Sequence, residues 1–439
     1  MNVVEKYIKL LQDNRAGKGT GIYSICSAQP TVLEASMLQA KKDGSIVLIE
    51  STSNQVDQYG GYTGMKPADF VAYLFAIADK VGYSRDDILL GGDHLGPNAW
   101  QSENAASAME KSRVLIAEYV KAGYQKIHLD CSMFCADDAG DRHKPLADEI
   151  VSARAAELCE IAEKTYAEFC APKGMPKPVY IIGTEVPIPG GAQEEEETVT
   201  PTTPADALKT IDITKAAFEA RGLQDAWTRV YGTVVQPGVE YGDEQVFHYD
   251  RAAAKELSEA ILSKDRFIYE AHSTDFQSER GLTELVEDHY CILKVGPWVT
   301  FAYREALFSL AMIEEEIFKP LGKETSKLRE VIDAVMVEDP KYWQKYYPGN
   351  DVEKAFKRKY SFSDRSRYYW PNEKIQAAIA KLFANLGQAP ISLALLSQYM
   401  PNQYNAVNDG VINNTVEELV INRIQDVIGI YARACKMSK

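Results

Sequence analysis

Short apolar runs rich in β-branched residues alternate along the chain with longer stretches of helical period. Eight runs are predicted to be strands, at residues 22–28, 45–51, 88–92, 126–131, 179–185, 229–235, 266–271 and 291–295. Helical stretches lie between these strands and after the last one, at residues 68–81, 105–122, 147–169, 205–221, 251–262 and 299–318. Strands separated by helices of this length are typical of parallel βαβ units.

The count of eight such units predicts an α/β fold of the (β/α)8 TIM-barrel type. The near-continuous apolar character of several runs fits a parallel sheet that is buried on both faces. An open doubly wound sheet is the alternative fold. It would normally carry a glycine-rich phosphate turn after the first strand, and the sequence SICSAQP is not such a turn. Before the barrel, VVEKYIKLLQDNRAG predicts an amphipathic helix.

The pattern changes beyond residue 320. Helical stretches at 327–337, 372–386 and 416–434 replace the series of strands. We therefore expect residues 1–320 to form the barrel with its N-terminal helix, and residues 321–439 to form a helical region packed on it. The acidic, proline-containing segment 190–204 follows the fifth strand and is expected to be a solvated loop or a lid.

Composition excludes several classes of partner. The 439 residues carry a formal charge of −15, which argues against a nucleic-acid partner. No apolar run is long enough for a membrane span, and the start lacks the features of a signal peptide, so we expect a cytoplasmic protein. Seven cysteines fit a reduced compartment. Cys131 and Cys135 lack a second pair for a zinc knuckle and are predicted to be buried thiols.

The candidate chemistry lies at the predicted strand ends. His94, Glu185 and His272 follow the third, fifth and seventh strands, whose carboxyl ends meet at one rim of a barrel. Two imidazoles and a carboxylate make a ligand set for a divalent metal. Each residue alone has a structural alternative, such as a hydrogen-bonded histidine in a glycine turn or a carboxylate that caps a helix. His128, inside the fourth strand, is predicted to be a packed core residue.

Acid/base and substrate-binding candidates surround this set. Asp93, beside His94, and Asp130, after the fourth strand, are candidate acid/base residues. Lys294 could form a Schiff base, but beside a metal site we expect an ion pair or a substrate contact. Other polar side chains at strand ends suit a polyhydroxylated ligand, although ordinary loop polarity explains some of them. These are Gln29, Glu50, Ser51, Asn54, Gln55, Ser132, Gln236, Ser273, Thr274 and Asp275.

Long motifs across the chain resemble one family, the GatZ/KbaZ-type subunit of tagatose-bisphosphate aldolase. They include IESTSNQVDQYGGYTGM, GGDHLGPNAWQ, KIHLDCSMFCADD, GTEVPIPGG, YEAHSTDFQ and, in the C-terminal region, RSRYYWP. The resemblance covers essentially the whole chain. The family is similar to class II aldolases, which are metal-dependent (β/α)8 barrels.

The resemblance implies roles for individual residues. Asp93 matches the acid/base of the Asp-His pair, and His94, Glu185 and His272 match residues at the metal. Two departures stand out. The strand-six histidine of the catalytic aldolases is replaced in VVQPG, where Gln236 is the nearest substitute ligand, and CSAQP has Gln29 where the family usually has histidine. The implied cofactor is a divalent ion, with zinc expected first and manganese, cobalt or nickel as alternatives.

Two functions follow from the resemblance. One is a metal-dependent ketose C4 epimerase of the tagatose/fructose type that works by retro-aldol and aldol steps, with Asp93 or Asp130 taking the C4 hydroxyl proton. The other is a non-catalytic subunit that stabilises a separate class II tagatose-1,6-bisphosphate aldolase. Both imply a ketose or ketose phosphate ligand, and Arg365 and Arg367 could meet a phosphate. A homo-oligomer is expected only because most cytoplasmic enzymes are oligomeric.

Overall fold

The computed structural model describes residues 1–142, 144–183 and 199–438, and within them eight parallel strands close into a barrel. Each strand pairs with the next in chain order, and the last pairs with the first. This arrangement confirms the predicted (β/α)8 barrel. The strands are β1 Ile22–Ile25, β2 Val47–Thr52, β3 Ile88–Leu95, β4 Lys126–Leu129, β5 Val179–Ile182, β6 Val230–Val235, β7 Ile268–Ala271 and β8 Tyr290–Val295.

Helices surround the barrel and continue beyond it. Those of the barrel half are α1 Val3–Asp13, α2 Pro30–Asp43, α3 Pro67–Val81, α4 Ala105–Lys121, α5 Asp148–Thr165, α6 Pro204–Ala220, α7 Gln224–Trp227, α8 Lys255–Ala260, α9 Glu279–Glu287 and α10 Pro297–Phe318. Those that follow are α11 Leu328–Glu338, α12 Asp351–Tyr360, α13 Glu373–Leu386, α14 Leu393–Tyr399, α15 Pro401–Asn408 and α16 Val416–Ala434. A short antiparallel hairpin pairs Glu240–Tyr241 with Val246–Phe247.

The last helix is part of the barrel's outer layer. Helix α16 packs against α2 and α9, the helices that follow the first and seventh strands, and also against α10. The Tyr431 hydroxyl of α16 donates to the backbone oxygen of Thr274 at 2.7 Å, just past the end of β7. The C-terminal region is therefore packed on the barrel at several places. The division at residue 320 stays a prediction.

Side chains alternate between the two faces of each barrel strand, as the period of a strand requires. On β2, Glu50 contacts Lys126 of β4 in the barrel interior, whereas the next residue, Ser51, bonds to Tyr119 of α4 on the outer face. All seven cysteines are free thiols, and Cys131 and Cys135 are buried as predicted. Among the described helices, none is long and apolar enough to cross a membrane.

A candidate active site at the carboxyl end of the barrel

A polar cavity of about 480 Å³ lies at the carboxyl ends of the strands, within the size range usual for small-molecule sites. Barrel residues line it, among them Asp93, His94, His272 and Lys294. Residues of the C-terminal region complete its wall, including Arg365 and Arg367. The cavity therefore depends on both halves of the chain.

Two glycines make room for this arrangement. A Cβ on Gly96 would lie 1.8 Å from the backbone oxygen of Asp130, so only glycine allows β3 to approach the end of β4 this closely. A Cβ on Gly91 would lie 2.5 Å from Cγ of Glu50, whose side chain fills that space in the barrel. Between them, His94 adopts a left-handed backbone conformation with φ of 50°.

Three histidine rings meet at the cavity floor. The ring centroid of His94 lies 4.9 Å from that of His272 and 5.4 Å from that of His128, and the last two rings are also 5.4 Å apart. In each ring, one nitrogen contacts a carboxylate oxygen. His94 Nδ1 is 2.7 Å from Asp130, His128 Nδ1 is 2.8 Å from Asp93, and His272 Nε2 is 3.0 Å from Glu270. Carboxylates hold metal-ligating histidines in this manner.

The pair formed by His94 and Asp130 is fully enclosed. The backbone amide and hydroxyl of Ser132 donate to the other oxygen of Asp130, at 3.0 and 2.6 Å. Burial alone would raise the pKa of Asp130, but the His94 imidazole outweighs burial and holds it well below its usual range. Burial alone would lower the pKa of His94, but Asp93 and Asp130 raise it to about 9. The two carboxylates therefore favour the charged form of His94.

Beneath the histidines, two lysines and three carboxylates form a buried ion-pair network. Lys126 Nζ lies 2.5 Å from Glu50 Oε1 and 2.7 Å from Glu270 Oε2. Lys294 Nζ pairs with Glu50 and lies 3.0 Å from Asp93 Oδ1. Both lysines are buried. Lys294 makes the ion pair expected from the sequence and also lines the cavity.

The carboxylates of this interior outnumber its lysines. It holds four carboxylates and two lysines, which are Glu50, Asp93, Asp130, Glu270, Lys126 and Lys294. With neutral histidines, four negative and two positive charges leave a net charge of −2. A divalent cation would compensate this charge, and so would the protonation of two histidines.

The donor atoms fit a divalent metal. One ligand atom each from Asp93, His128, Glu270 and His272 lies within 4.8 Å of all the others. Nε2 of His128 is buried and has no hydrogen-bond partner in the part of the chain that the structure describes. Nitrogen and oxygen donors of this kind suit zinc and its neighbours in the transition series. The residues present could therefore hold the ion that the family resemblance implies.

The structure brings many of the predicted residues to the cavity wall. Asp275 is one of them. Its Oδ1 accepts from the backbone amides of Gly296 and Trp298 at 3.0 and 2.8 Å, and burial raises its pKa to about 6. The predicted residues that line the cavity are Asn54, Gln55, Asp93, His94, His272, Ser273, Asp275 and Lys294.

Other predicted residues lie elsewhere, for reasons of strand geometry. Glu50 and Ser51 are adjacent on β2 and so point to opposite faces. Neither lines the cavity, because Glu50 lies in the interior network and the Ser51 hydroxyl bonds to Tyr119 and Tyr124. Asp130 and Ser132 lie behind His94 and contact it or each other.

Two further predicted residues, Gln236 and Gln29, accept hydrogen bonds from backbone amides. Gln236 Oε1 accepts from the amides of Gly238 and Val239 at 2.8 and 2.9 Å, so its side chain closes its own turn and does not line the cavity. Gln29 Oε1 accepts from the amide of Val32 and caps α2, beside an adjoining cavity of about 280 Å³. Glu185 lies outside the described residues.

Sequence reasoning missed His128 and Glu270. His128 is buried, as predicted for a packed core residue, but its Nδ1 contacts Asp93 and its ring adjoins His94 and His272, so it also belongs to the polar cluster. One signal was available. His128 and Glu270 stand two residues before Asp130 and His272, so each shares a strand face with a candidate site residue.

The chain is similar to a known family and to several solved structures. The model of the D-tagatose-1,6-bisphosphate aldolase subunit GatZ/KbaZ-like family matches residues 7–436. A solved structure described as a probable tagatose 6 phosphate kinase from Sinorhizobium meliloti 1021 is 44% identical, with a TM-score of 0.85. The alignment covers 94% of this chain and 100% of that one.

Two solved structures are more distant. A fructuronate-tagaturonate epimerase from Cohnella laeviribosi is 12% identical over 95% of this chain and 81% of that one, with a TM-score of 0.48. A fructose-bisphosphate aldolase from Campylobacter jejuni is 12% identical over 86% of this chain and 91% of that one, with a TM-score of 0.41. These likenesses are too weak to bear on the activity of this chain. The match over residues 7–436 decides the family, and the chain belongs to the D-tagatose-1,6-bisphosphate aldolase subunit GatZ/KbaZ-like family.

Proposed function

We propose that this chain is a divalent-metal-dependent enzyme that epimerises a ketose at C4 by retro-aldol and aldol steps. The observation that carries the proposal is the cluster of three carboxylate-paired histidines at the floor of a polar cavity. Membership of a tagatose-bisphosphate aldolase subunit family supports a ketose as the ligand.

The proposed metal ligands are drawn from the donors that lie together. His128, Glu270 and His272 are the ligands proposed from that group, and the ring of His94 adjoins it. Asp93 also lies among these donors but is proposed for proton transfer. Glu185 remains a proposed ligand from the family resemblance. When bound, a divalent ion acts as a Lewis acid on the substrate oxygens, and zinc is the first candidate, ahead of manganese, cobalt and nickel.

The proton chemistry falls to Asp93 and His94. Cleavage of the C3–C4 bond requires that the C4 hydroxyl lose its proton, and re-addition to the other face of the aldehyde requires that the proton return. Both residues line the cavity, with Asp93 Oδ2 only 3.6 Å from His94 Nε2. Two neighbouring acid/base groups suit an oxygen that loses and regains one proton. Asp130 contributes by orienting His94.

Polar side chains on the cavity wall would bind the sugar. Asn54, Gln55 and Ser273 offer amide and hydroxyl groups that both donate and accept, which is the hydrogen-bonding capacity of a sugar hydroxyl. Asp275 supplies a buried carboxyl on the same wall. These residues would fix the ketose while its C4 aldehyde fragment turns.

Turnover by the purified chain tests the proposal. The chain is incubated with fructose, tagatose and their phosphates, after treatment with EDTA and after addition of Zn²⁺, Mn²⁺, Co²⁺ or Ni²⁺. We expect C4 interconversion that disappears with EDTA and returns with metal. Asp93→Asn should reduce turnover by at least about 100-fold, whereas Asp86→Asn on an exposed turn should not. Full activity of Asp93→Asn would remove Asp93 from the mechanism.

The alternative is an accessory subunit that stabilises a separate class II aldolase. The family description, which names an aldolase subunit, favours it. The position of Gln236 also favours it, since the catalytic aldolases that the sequence resembles have a histidine on that strand. Copurification with an aldolase chain, a longer half-life of that aldolase, and no turnover by this chain with metal bound would support this function over the first.

A further inference from the structure

The ammonium group of Lys294 lies among three carboxylates at the floor of the cavity. It pairs with Glu50, and its Nζ is 3.0 Å from Oδ1 of Asp93 and 3.7 Å from Oε1 of Glu270. Only 6% of the Lys294 side chain is exposed, so water contributes little to its solvation. The three carboxylates are therefore the main partners of this positive charge.

Two of these carboxylates also face the histidine rings. Oδ1 of Asp93 is 2.8 Å from Nδ1 of His128, and Oε1 of Glu270 is 3.0 Å from Nε2 of His272. Both oxygens are the ones that Lys294 contacts. These two carboxylates and two histidines are the residues whose donor atoms lie together and could hold a metal. The Lys294 ammonium is therefore directly beside the candidate metal site.

A metal ion at this site and the Lys294 ammonium would repel each other. An ion bound to Oε1 of Glu270 at the usual metal–oxygen distance of about 2.1 Å would lie no more than about 6 Å from Nζ of Lys294. At this distance the repulsion between a divalent ion and a unit charge is strong in a buried site, because little water screens it.

The charges favour an exchange of the two cations. The three carboxylates that Lys294 contacts are compensated only in part by the two lysines of the network, Lys126 and Lys294. Lys126 together with a divalent ion would balance the same three carboxylates, and the Lys294 charge would then be in excess. The fourth carboxylate, Asp130, is separate because it contacts His94.

Lys294 has space into which it can move, whereas Lys126 does not. Lys294 lines the cavity of about 480 Å³, and Lys126 is fully buried and does not line it. The four-carbon stem of a lysine is flexible, so Nζ of Lys294 can turn into the cavity while its backbone stays in β8. Lys126 is therefore the fixed counter-charge of the barrel floor, and Lys294 is the movable one.

We infer that Lys294 and the divalent metal are alternative cations at Asp93 and Glu270. The Lys294 ammonium stabilises the metal-free barrel floor, and metal binding displaces it into the cavity. Lys294 thereby lowers the affinity for metal. Its displacement also releases Asp93, the proposed proton-transfer residue, from an ion pair. The inference rests on the proposed function only for the presence of the metal.

Zinc affinity, measured by competition with a chelator, tests this exchange without reference to activity. Lys294→Met removes the charge and keeps a long side chain, so we expect it to bind Zn²⁺ at least about tenfold more tightly than the wild type. Lys294→Arg keeps the charge and should show no such gain. Lys345→Met is the matched control, because Lys345 lines the same cavity but is exposed, and its loss should change the affinity by less than about twofold.

Crystal structures of the wild type with and without Zn²⁺ keep the inference testable if Lys294→Met does not fold. With zinc bound, Nζ of Lys294 should lie more than about 4 Å from the carboxylate oxygens of Asp93 and Glu270, beyond the limit of an ion pair. Lys126 should keep its two ion pairs. An Nζ of Lys294 that stayed within this limit of either carboxylate in the zinc-bound structure would overturn the inference.

The binding measurements decide the inference separately from the epimerase activity. Equal or weaker zinc binding by Lys294→Met would overturn it, and so would an equal gain in Lys345→Met or no zinc binding by either the wild type or Lys294→Met. Zinc binding by Lys294→Met alone would support it. If zinc affinity depends on Lys294 but no ketose is turned over, the inference stands and the proposed epimerase fails. Metal-dependent turnover with unchanged zinc affinity in Lys294→Met would keep the epimerase and overturn the inference.

Discussion

Oδ2 of Asp130 lies 2.7 Å from Nδ1 of His94, and both residues are buried at the floor of the cavity. The contact joins the ends of two neighbouring strands, β3 and β4. It fixes the ring orientation of His94 and leaves its Nε2 on the side of Asp93, 3.6 Å away. Asp130 therefore acts on the reaction through His94.

Asp130→Asn tests that relationship. The amide keeps the shape of the side chain but cannot hold the charge on His94, so we expect kcat to fall about 10- to 100-fold with little change in KM. Asp137→Asn is the control, because Asp137 is exposed in the same loop and accepts from the Ala105 amide. Steady-state kinetics at several pH values measures the effect. Wild-type kcat in Asp130→Asn would contradict the positioning role.

Metal affinity distinguishes the ligands that the structure brings together from those inferred by resemblance. His128 offers a buried nitrogen without a partner, whereas the Gln236 amide oxygen is bonded to two backbone amides. We therefore expect His128→Asn to weaken Zn²⁺ binding by at least about tenfold and Gln236→Ala to leave it unchanged. Asparagine can keep the contact that Nδ1 makes with Asp93 while removing Nε2. Competition with a chelator measures the Zn²⁺ affinity of both variants. Weaker binding by Gln236→Ala and unchanged binding by His128→Asn would make Gln236 a ligand instead of His128.

The buried ion-pair network should contribute strongly to stability. Lys126 is fully buried and pairs with Glu50 and Glu270, so Lys126→Met leaves two carboxylates without this counter-charge. We expect the free energy of unfolding to fall by about 3–5 kcal/mol. Lys80→Met is the control, since its pair with Glu34 is 67% exposed on the lysine side and should be worth less than about 1 kcal/mol. Urea unfolding measures both variants. If Lys126→Met lost no more unfolding free energy than Lys80→Met, the buried network would contribute no more to stability than an exposed ion pair.

The buried carboxyl of Asp275 should make the free energy of unfolding depend on pH. Burial raises its pKa to about 6, above that of an aspartate in the unfolded chain, about 3.9. The folded chain therefore holds this proton more tightly, and the contribution of Asp275 to stability is lost as pH rises from about 4 to about 6. The side-chain amide of an Asp275→Asn variant does not titrate. The stability of this variant relative to the wild type should thus increase across this range, by up to about 3 kcal/mol.

The matched control for that experiment is Asp250→Asn. Asp250 also accepts from two backbone amides, those of Ala252 and Ala253, but it is exposed. Urea unfolding at intervals between pH 4 and pH 7 measures both variants against the wild type. If the difference in stability between Asp275→Asn and the wild type did not change with pH, burial would not raise the pKa of the Asp275 carboxyl.

Much of the fold could be predicted because it depends on local periodicity. The eight strands were found within a few residues, although β1 and β4 are shorter than predicted. Among the barrel-side helices, α8 covers only part of its predicted stretch, and α2 and α9 were not predicted. Hydrophobic runs extend past the last paired residue of a strand into the buried rim. Sequence alone therefore misplaces the carboxyl ends of strands by up to three residues, and in either direction, since β3 continues to Leu95 beyond its predicted end at residue 92.

The site was predictable only in part. Asp93, His94, His272 and Lys294 could be assigned to one rim, because parallel strands in a barrel present their carboxyl ends together. Glu50 and Ser51 could not both face the ligand, since neighbours on a strand point to opposite sides. That contradiction was visible in the sequence. The backbone bonds that occupy Gln236 were not, because they depend on how its own turn closes.

By itself, the sequence determined the number and order of the strands and the residues that stand at their ends. Only the tertiary structure decided which of these side chains meet. Barrel closure and strand register bring His128 to Asp93 and Lys294 to Glu50, and the path of the C-terminal region brings Arg365 and Arg367 to the same cavity. Periodicity is a local property of the chain, whereas contacts between residues far apart in sequence arise only when the whole chain packs.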